Sequence, residues 1–226
     1  MKFFIIMIAM ALPSYLLGSV NGAIIASKYF FRKDIREYGS GNPGLTNFYR
    51  IFGQVGAALV VAIDVLKTMG PVIFGGWLFH RYLGMPASAG WLFKHFFDVS
   101  LFGQALAGFF VMLGHCYPAF YGFKGGKGVM AAGVILFFLD WRLALVSWGT
   151  FILVTALTRF VSLGAILGGA MLPISQLIFG IGGVPSLIAT TMCALLLISR
   201  HHQNIKRLIT GAEPKFSFRR AGRVGQ

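Results

Sequence analysis

Carboxylates are scarce in this chain: six Asp and Glu stand among 226 residues, against twenty Lys and Arg, and the formal net charge is +14. The six are scattered singly, so no acidic cluster is available to hold Mg²⁺ for nucleotide-dependent phosphoryl transfer. The paired aspartates of a CDP-alcohol phosphotransferase are missing for the same reason. Cysteine is also sparse. Cys116 and Cys193 lie far apart in apolar contexts and read as small core residues rather than a disulfide or metal pair. No Cys/His spacing suggests zinc and no G-x-S-x-G elbow or triad signature appears, so neither a metal nor any other cofactor is expected. Charge of either sign is thin, at 12% of residues where soluble domains carry about a quarter.

What fills the space is apolar. Hydrophobic residues make up 57% of the chain, in runs of about 18–25 residues, enough to cross ~30 Å of hydrocarbon as helix. The fold class is therefore all-α integral membrane. Seven spans fit best, over residues 3–26, 54–79, 97–117, 128–140, 143–158, 160–180 and 184–200. The N-terminal run imitates a signal peptide, but its apolar stretch continues past Ser19 to Ala26 with no A-x-A site, so it reads as a retained first span.

Orientation follows from the cations. With the N-terminus outside, the inner segments hold Lys28, Arg32, Lys33, Arg36, Arg50, Lys124, Lys127 and Arg159. The tail adds Arg200, Lys206, Arg207, Lys215, Arg219, Arg220 and Arg223, making fifteen inside. Outside lie Lys2, Arg81, Lys94 and Arg142, and Lys67 falls within a span. The N-terminus is expected outside and the C-terminus in the cytoplasm. The excess of positive charge is expected to meet anionic headgroups rather than nucleic acid.

Three polar clusters fall on the cytoplasmic side. The first contains Gly39 to Gly44, which spells G-x-G-x-x-G, a dinucleotide signal only inside a βαβ unit. Here it sits between two spans with no room for one. Its chemistry suits a phosphate instead: Gly39, Gly41 and Gly44 admit unusual backbone angles. Ser40, Asn42, Thr46 and Asn47 add neutral hydrogen-bonding groups, and Arg50 a planar fork. The second, residues 114–128, ends in Lys124-Gly125-Gly126-Lys127-Gly128. A Walker A loop needs glycine where Tyr121 stands and Ser or Thr where Gly128 stands, so ATP is excluded. Two lysines among glycines still form a flexible cationic loop able to wrap an anion, and His115 beside it reads as a helix-end residue. The third, residues 200–215, places Arg200, His201 and Asn204 as neighbours on one helical face, with Lys206 and Arg207 as headgroup anchors. Within the second span, Asp64 and Lys67 are three apart and are expected to pair, either as a site or to hold helices together. An organic-phosphate transporter would use similar loops, but internal repeats and interrupted spans at the membrane midplane are its usual signs; no repeat is seen, and the three polar clusters sit at one surface rather than in the middle.

The chain resembles the bacterial acyl-phosphate-dependent glycerol-3-phosphate acyltransferases from Tyr15-Leu16-Leu17-Gly18-Ser19 to Gly211-Ala212-Glu213-Pro214-Lys215. GSGNPGLTN with Arg50, GHCYP with FKGGKGV, and RHHQNIKRLITG carry the likeness in order. It differs at Gln54, where a lysine is common, at Thr68, where a glycine is common, and at Met130-Ala131 for Ala-Thr. The resemblance implies a single seven-span domain over 1–213 with a basic tail from 214 to 226. It implies acyl transfer from acyl-phosphate to the 1-hydroxyl of glycerol 3-phosphate in the bacterial inner membrane, giving lysophosphatidic acid and phosphate. Membrane lipids surround the protein, which is expected to act as a monomer. Carried onto this chain, it implies catalytic roles for Ser40, Arg50, Lys127, His201 and Asn204. Gly39, Gly41, Asn42, Thr46, Asn47, Lys124, Gly125 and Gly126 would bind substrate phosphate. The general base is either His201 or a substrate phosphate oxygen. His95 and Asp98 stand too close for the H-x4-D pair of another acyltransferase class.

Overall fold

A computed structural model describes residues 1–84 and 98–216. Lys94, His95, most of the 80–96 loop and Arg219, Arg220 and Arg223 of the tail lie outside the described residues. Among the described residues ten α-helices run in order: α1 Lys2–Ser19, α2 Gly22–Phe31, α3 Leu45–Phe52, α4 Gln54–Leu83, α5 Val99–Cys116, α6 Val129–Leu139, α7 Trp141–Thr158, α8 Val161–Phe179, α9 Gly183–Arg200 and α10 His202–Ile209. Among the described residues six helical stretches are long and apolar enough to cross a membrane, α1 and α2 counting as one. Among the described residues there is no strand. Helices satisfy every backbone group internally, as hydrocarbon requires.

Two boundaries differ from the sequence expectation. The first span is broken: Val20 is extended, and Asn21 caps α2 by accepting the Ile24 amide at 3.0 Å. The second helix runs on to Leu83, thirty residues in all, about 45 Å at ~1.5 Å per residue. The short fourth span expected over 128–140 is matched by α6, whose eleven residues make about 16 Å of helix against ~30 Å of hydrocarbon.

Helix α5 is the hub, packing on α1, α4, α6 and α9. Glycine makes two of these crossings possible. A Cβ on Gly18 would strike the Val111 carbonyl and one on Gly114 the Tyr15 carbonyl, so α1 and α5 touch backbone to backbone. Gly75 and Gly103 do the same for α4 and α5. Close approach through small residues is how helices bind without a hydrophobic drive between them. Met10, Phe79, Val111, Met112, Ile135 and Leu143 fill the main core. A second core of Ile24, Ile35, Phe48 and Val60 lies under the loop between α2 and α3 and fixes it. The bundle's outer faces expose Leu145, Ile152, Leu157 and Ile178, as a lipid-facing surface does.

Candidate active site

The three polar clusters gather at one end of the bundle. In the first, Gly39 and Gly41 have φ of 60° and 68°, the left-handed region that favours glycine. Gly44 departs from the expectation, with φ −139°, ordinary extended backbone. Asn47 is buried and closes the loop with both ends of its amide. Its Oδ1 accepts the Ser40 N–H at 3.1 Å and its Nδ2 donates to the Tyr38 carbonyl at 3.0 Å. Asn47 therefore shapes the loop that carries Ser40, whose side chain is exposed. Asn21 Nδ2 ties the same loop to the break in the first span through the Pro43 carbonyl, at 3.2 Å. Asn42, Thr46 and Arg50 are half-buried. Thr46 and Arg50 sit one turn apart on one face of α3.

The glycines of the second cluster do not form a flexible wrap. Gly125 and Gly126 are buried. The Gly126 amide donates to the His115 carbonyl at 3.0 Å, so it is not offered to an anion. Arg200 clamps the other side, donating to the Gly126 and Gly125 carbonyls, each at 3.2 Å. Its guanidinium also stacks over Tyr117, 4.8 Å from the ring centre. A side chain at Gly126 would collide with the His115 ring, so glycine is required there by close packing. Lys124 points out, exposed, whereas Lys127 is half-buried and donates to Asn204 Oδ1 at 2.6 Å.

The third cluster is two helices meeting at His201, where a single helical face was expected. Asn204 passes the contact onward: its Nδ2 donates to Glu213 Oε1 at 2.7 Å. Ser162 donates to the same oxygen at 2.5 Å, and Arg207 Nε to Oε2 at 2.7 Å. Arg207 is thus an ion-pair partner rather than a headgroup anchor, while Lys206 is exposed. His201 is 2% exposed, with Nδ1 2.8 Å from the Leu197 carbonyl. A carbonyl can only accept, so Nδ1 carries the proton and Nε2 keeps a lone pair.

The glycerol-3-phosphate acyltransferase family model matches residues 8–211. The chain belongs to this family. A glycerol-3-phosphate acyltransferase of Syntrophotalea carbinolica is 38% identical over 208 residues, covering 92% of this chain and 96% of the relative. One from Staphylococcus aureus strain JH9 is 34% identical over 211 residues, covering 93% and 98%. The backbone resembles PlsY (YgiH), an integral membrane glycerol 3-phosphate acyltransferase, solved in a glycerol 3-phosphate form. That likeness has TM-score 0.77 and 31% identity, and covers 93% of this chain and 96% of that one. The lysophosphatidic acid form gives 0.76, 29%, 93% and 95%.

The family's glycerol 3-phosphate carries two charges to be met, and the cations here are unspent. Asp34 is paired with Arg36 at 2.7 Å and Lys28 at 3.2 Å, Asp140 with Arg142 at 2.9 Å and Asp64 with Lys67 at 2.8 Å. Asp98 caps α5. Among the described residues no carboxylate pairs with Arg50, Lys124, Lys127 or Arg200. Arg36, besides holding the Asp34 carboxyl well below its ordinary range, donates to the Tyr121 carbonyl at 3.3 Å and joins the first two loops.

Lys127 is a half-buried cation whose charged form is disfavoured chiefly by burial. Burial pushes its pKa down to about 8, Glu213 opposes the shift, and the charges of Arg207, Arg200 and Arg50 add to it. Direct contacts join the three clusters: Arg36 to the Tyr121 carbonyl, Arg200 to the Gly125 and Gly126 carbonyls, and Lys127 to Asn204. Burial likewise pushes His201 down to about 4. Glu213 goes the other way. Burial raises it, but hydrogen bonds from Ser162, Asn204 and Arg207 leave it below the ordinary carboxylate range.

Sequence reasoning missed Glu213. Its signal was that it is the sole acidic residue beyond Asp140. It also left His115 as a helix-end residue, whereas the ring is buried against Gly126.

Proposed function

We propose that this chain transfers a fatty acyl group from acyl-phosphate to the 1-hydroxyl of glycerol 3-phosphate, releasing lysophosphatidic acid and phosphate. The observation that carries the reading is the joining of the glycine loop to the C-terminal helices, through Lys127 on Asn204 at 2.6 Å and Arg200 on the Gly125 and Gly126 carbonyls, where among the described residues no carboxylate pairs with Lys124, Lys127 or Arg200. A site for two phosphate-bearing substrates needs several cations without carboxylate partners, and this one has them. The hydroxyl oxygen attacks the acyl carbonyl carbon, the bond to the phosphate oxygen breaks, and inorganic phosphate leaves. The mixed anhydride has a good leaving group, so charge stabilisation and positioning dominate over general acid catalysis. Lys127, Arg50 and Lys124 hold the phosphates, and Ser40, on its Asn47-braced loop, positions the reacting groups without forming an acyl-enzyme. His201, pushed down to about 4, is a poor match for a base at neutral pH. A substrate phosphate oxygen takes the hydroxyl proton.

The acyl chain lies in a lateral cleft of about 970 Å³ between α3, α4, α7 and α8, lined by Tyr49, Ala58, Phe151, Ile152 and Ala156, with Thr46 and Arg159 also on its wall. In this reading α6 is the shortened fourth of seven spans, with the N-terminus outside and the site on the cytoplasmic face of the bacterial inner membrane. Residues 1–213 form one domain, the basic tail from 214 to 226 meets anionic lipid, and the monomer is complete.

The test is product formation by the purified protein with labelled glycerol 3-phosphate and palmitoyl-phosphate, palmitoyl-CoA or no donor, without added metal. Lysophosphatidic acid from the acyl-phosphate alone is expected. Product from palmitoyl-CoA instead would overturn the donor. Binding of glycerol 3-phosphate with no product from any donor would replace the enzyme by a transporter.

A further inference from the structure

Lys67 is buried inside the bundle, with its side chain 4% exposed. Its ammonium forms an ion pair with Asp64 Oδ1 at 2.8 Å, one turn back on α4, and hydrogen bonds with the Val20 carbonyl at 2.7 Å, at the break between α1 and α2, and with His115 Nδ1 at 2.8 Å, at the end of α5. These come from three separate segments. An ammonium has no lone pair to give, so His115 Nδ1 must accept, which leaves the imidazole neutral with its proton on Nε2. That nitrogen faces Gly126, where any side chain would collide with it, and the His115 carbonyl accepts the Gly126 amide. The residue after Gly126 is Lys127.

We infer that Lys67 and His115 are positioning residues that set the backbone from Gly125 to Lys127 and so aim the Lys127 ammonium into the phosphate site. The Gly125-Gly126 stretch is gripped from two sides, by the His115 ring and carbonyl beneath and by Arg200 above. Asp64 cancels the charge of Lys67, and the Val20 carbonyl, freed by the helix break, gives the ammonium its remaining acceptor. The break in the first span and the intramembrane ion pair are then parts of one support for the catalytic loop. This inference rests on the proposed acyl transfer only for its kinetic readout.

The test is a set of double-mutant cycles with Lys127→Ala, reading KM for glycerol 3-phosphate, kcat, direct glycerol 3-phosphate binding and amide exchange over residues 124–128. The variants are His115→Leu, His115→Asn, Lys67→Met and Asp64→Asn/Lys67→Met, the last removing both charges together so that no lone carboxylate stays buried. His115→Asn keeps an acceptor near the position of Nδ1 and is expected to retain most function. His115→Leu and both Lys67 variants are expected to weaken glycerol 3-phosphate binding and raise KM at least ~10-fold, within the ~10²-fold that a misplacement of ~1 Å can cost. They should also speed exchange at Gly126. In the Lys127→Ala background they should add almost nothing, since coupled groups are not additive. Full additivity, or a lowered melting point with unchanged KM, binding and Gly126 exchange, would overturn the inference. If wild type makes no product from any acyl-phosphate, yet the cycle in binding is still non-additive, the acyl-transfer reading falls and the positioning role stands.

Discussion

The Lys127 ammonium donates to the Asn204 amide oxygen across 2.6 Å, and so couples the glycine loop to the C-terminal helix. Asn204 is itself fixed by Glu213 at 2.7 Å, leaving its amide no freedom to rotate. A cation held in this way is aimed before any substrate arrives, which is the condition for electrostatic stabilisation without reorganisation.

The lowered pKa of Lys127 predicts an alkaline limb. Burial disfavours the charged form, so the proton is lost near pH 8 in the free protein instead of in the ordinary lysine range. Below that pH the site carries the charge that phosphate needs; above it the charge fades. kcat/KM for glycerol 3-phosphate should fall as pH rises through about 8. Bound phosphate stabilises the ammonium, so the limb in kcat should lie higher. Lys127→Arg cannot deprotonate in this range and should keep its kcat/KM, even if lower overall, flat to pH ~10. Initial rates across pH check both points.

Glu213 predicts a stability effect that carries into activity. Glu213→Ala strands the Asn204 and Ser162 donors and leaves Arg207 unpaired. Hydrogen bonds to a charged group contribute about 1.5–3 kcal/mol each, so a loss of ~3 kcal/mol or more is expected. Its pKa is depressed in the folded state, so the stabilisation is full above the ordinary carboxylate value of ~4.3 and is lost as pH falls through the lowered folded value. Thermal unfolding in detergent, followed from pH 7 down to pH ~2.5, reads this: wild type should lose stability progressively below the ordinary carboxylate value, and Glu213→Ala should lose less.

The two kinds of signal in the sequence had unequal reach. Apolar runs and cation asymmetry made the helical membrane class and the three polar clusters legible, because hydrocarbon thickness and phosphate charge act on local composition. Val20, Lys67 and His115 were not legible as a unit, since their contacts join positions 47 and 48 residues apart. Gly125 and Gly126 carried a local pattern that suggested a flexible loop. Close packing on His115 is a tertiary demand for glycine, and sequence alone does not separate it from conformational freedom. Glu213 was hidden for the same reason: its partner Ser162 is 51 residues away.

The lateral cleft predicts a chain-length-dependent block. Ala58 and Ala156 line opposite walls, from α4 and α7. Ile152→Trp, about one turn further along α7 from Arg159 than Ala156, should exclude the distal part of a long acyl chain while leaving the phosphate site intact. Each buried methylene contributes ~0.8 kcal/mol, so excluding four of them costs ~3 kcal/mol, or roughly 10²-fold in kcat/KM. The loss should appear with palmitoyl-phosphate and shrink to less than threefold with octanoyl-phosphate. Equal losses for both donors would place the chain elsewhere.

His201 decides where the hydroxyl proton goes. Its Nε2 has a lone pair, but with a pKa pushed down to about 4 it holds a proton too weakly to drive abstraction from an alcohol at neutral pH. If a substrate phosphate oxygen is the acceptor, His201 contributes shape and the Leu197 contact alone, and His201→Gln should lower kcat by less than tenfold. The acid side of the pH profile should then show no limb moving with this substitution between pH 5 and 8. General-base catalysis is worth about 10²–10⁴-fold. A loss of that size, together with disappearance of an acid limb near pH 4 in the variant, would return the proton to His201 and make the substrate phosphate a leaving group and nothing more.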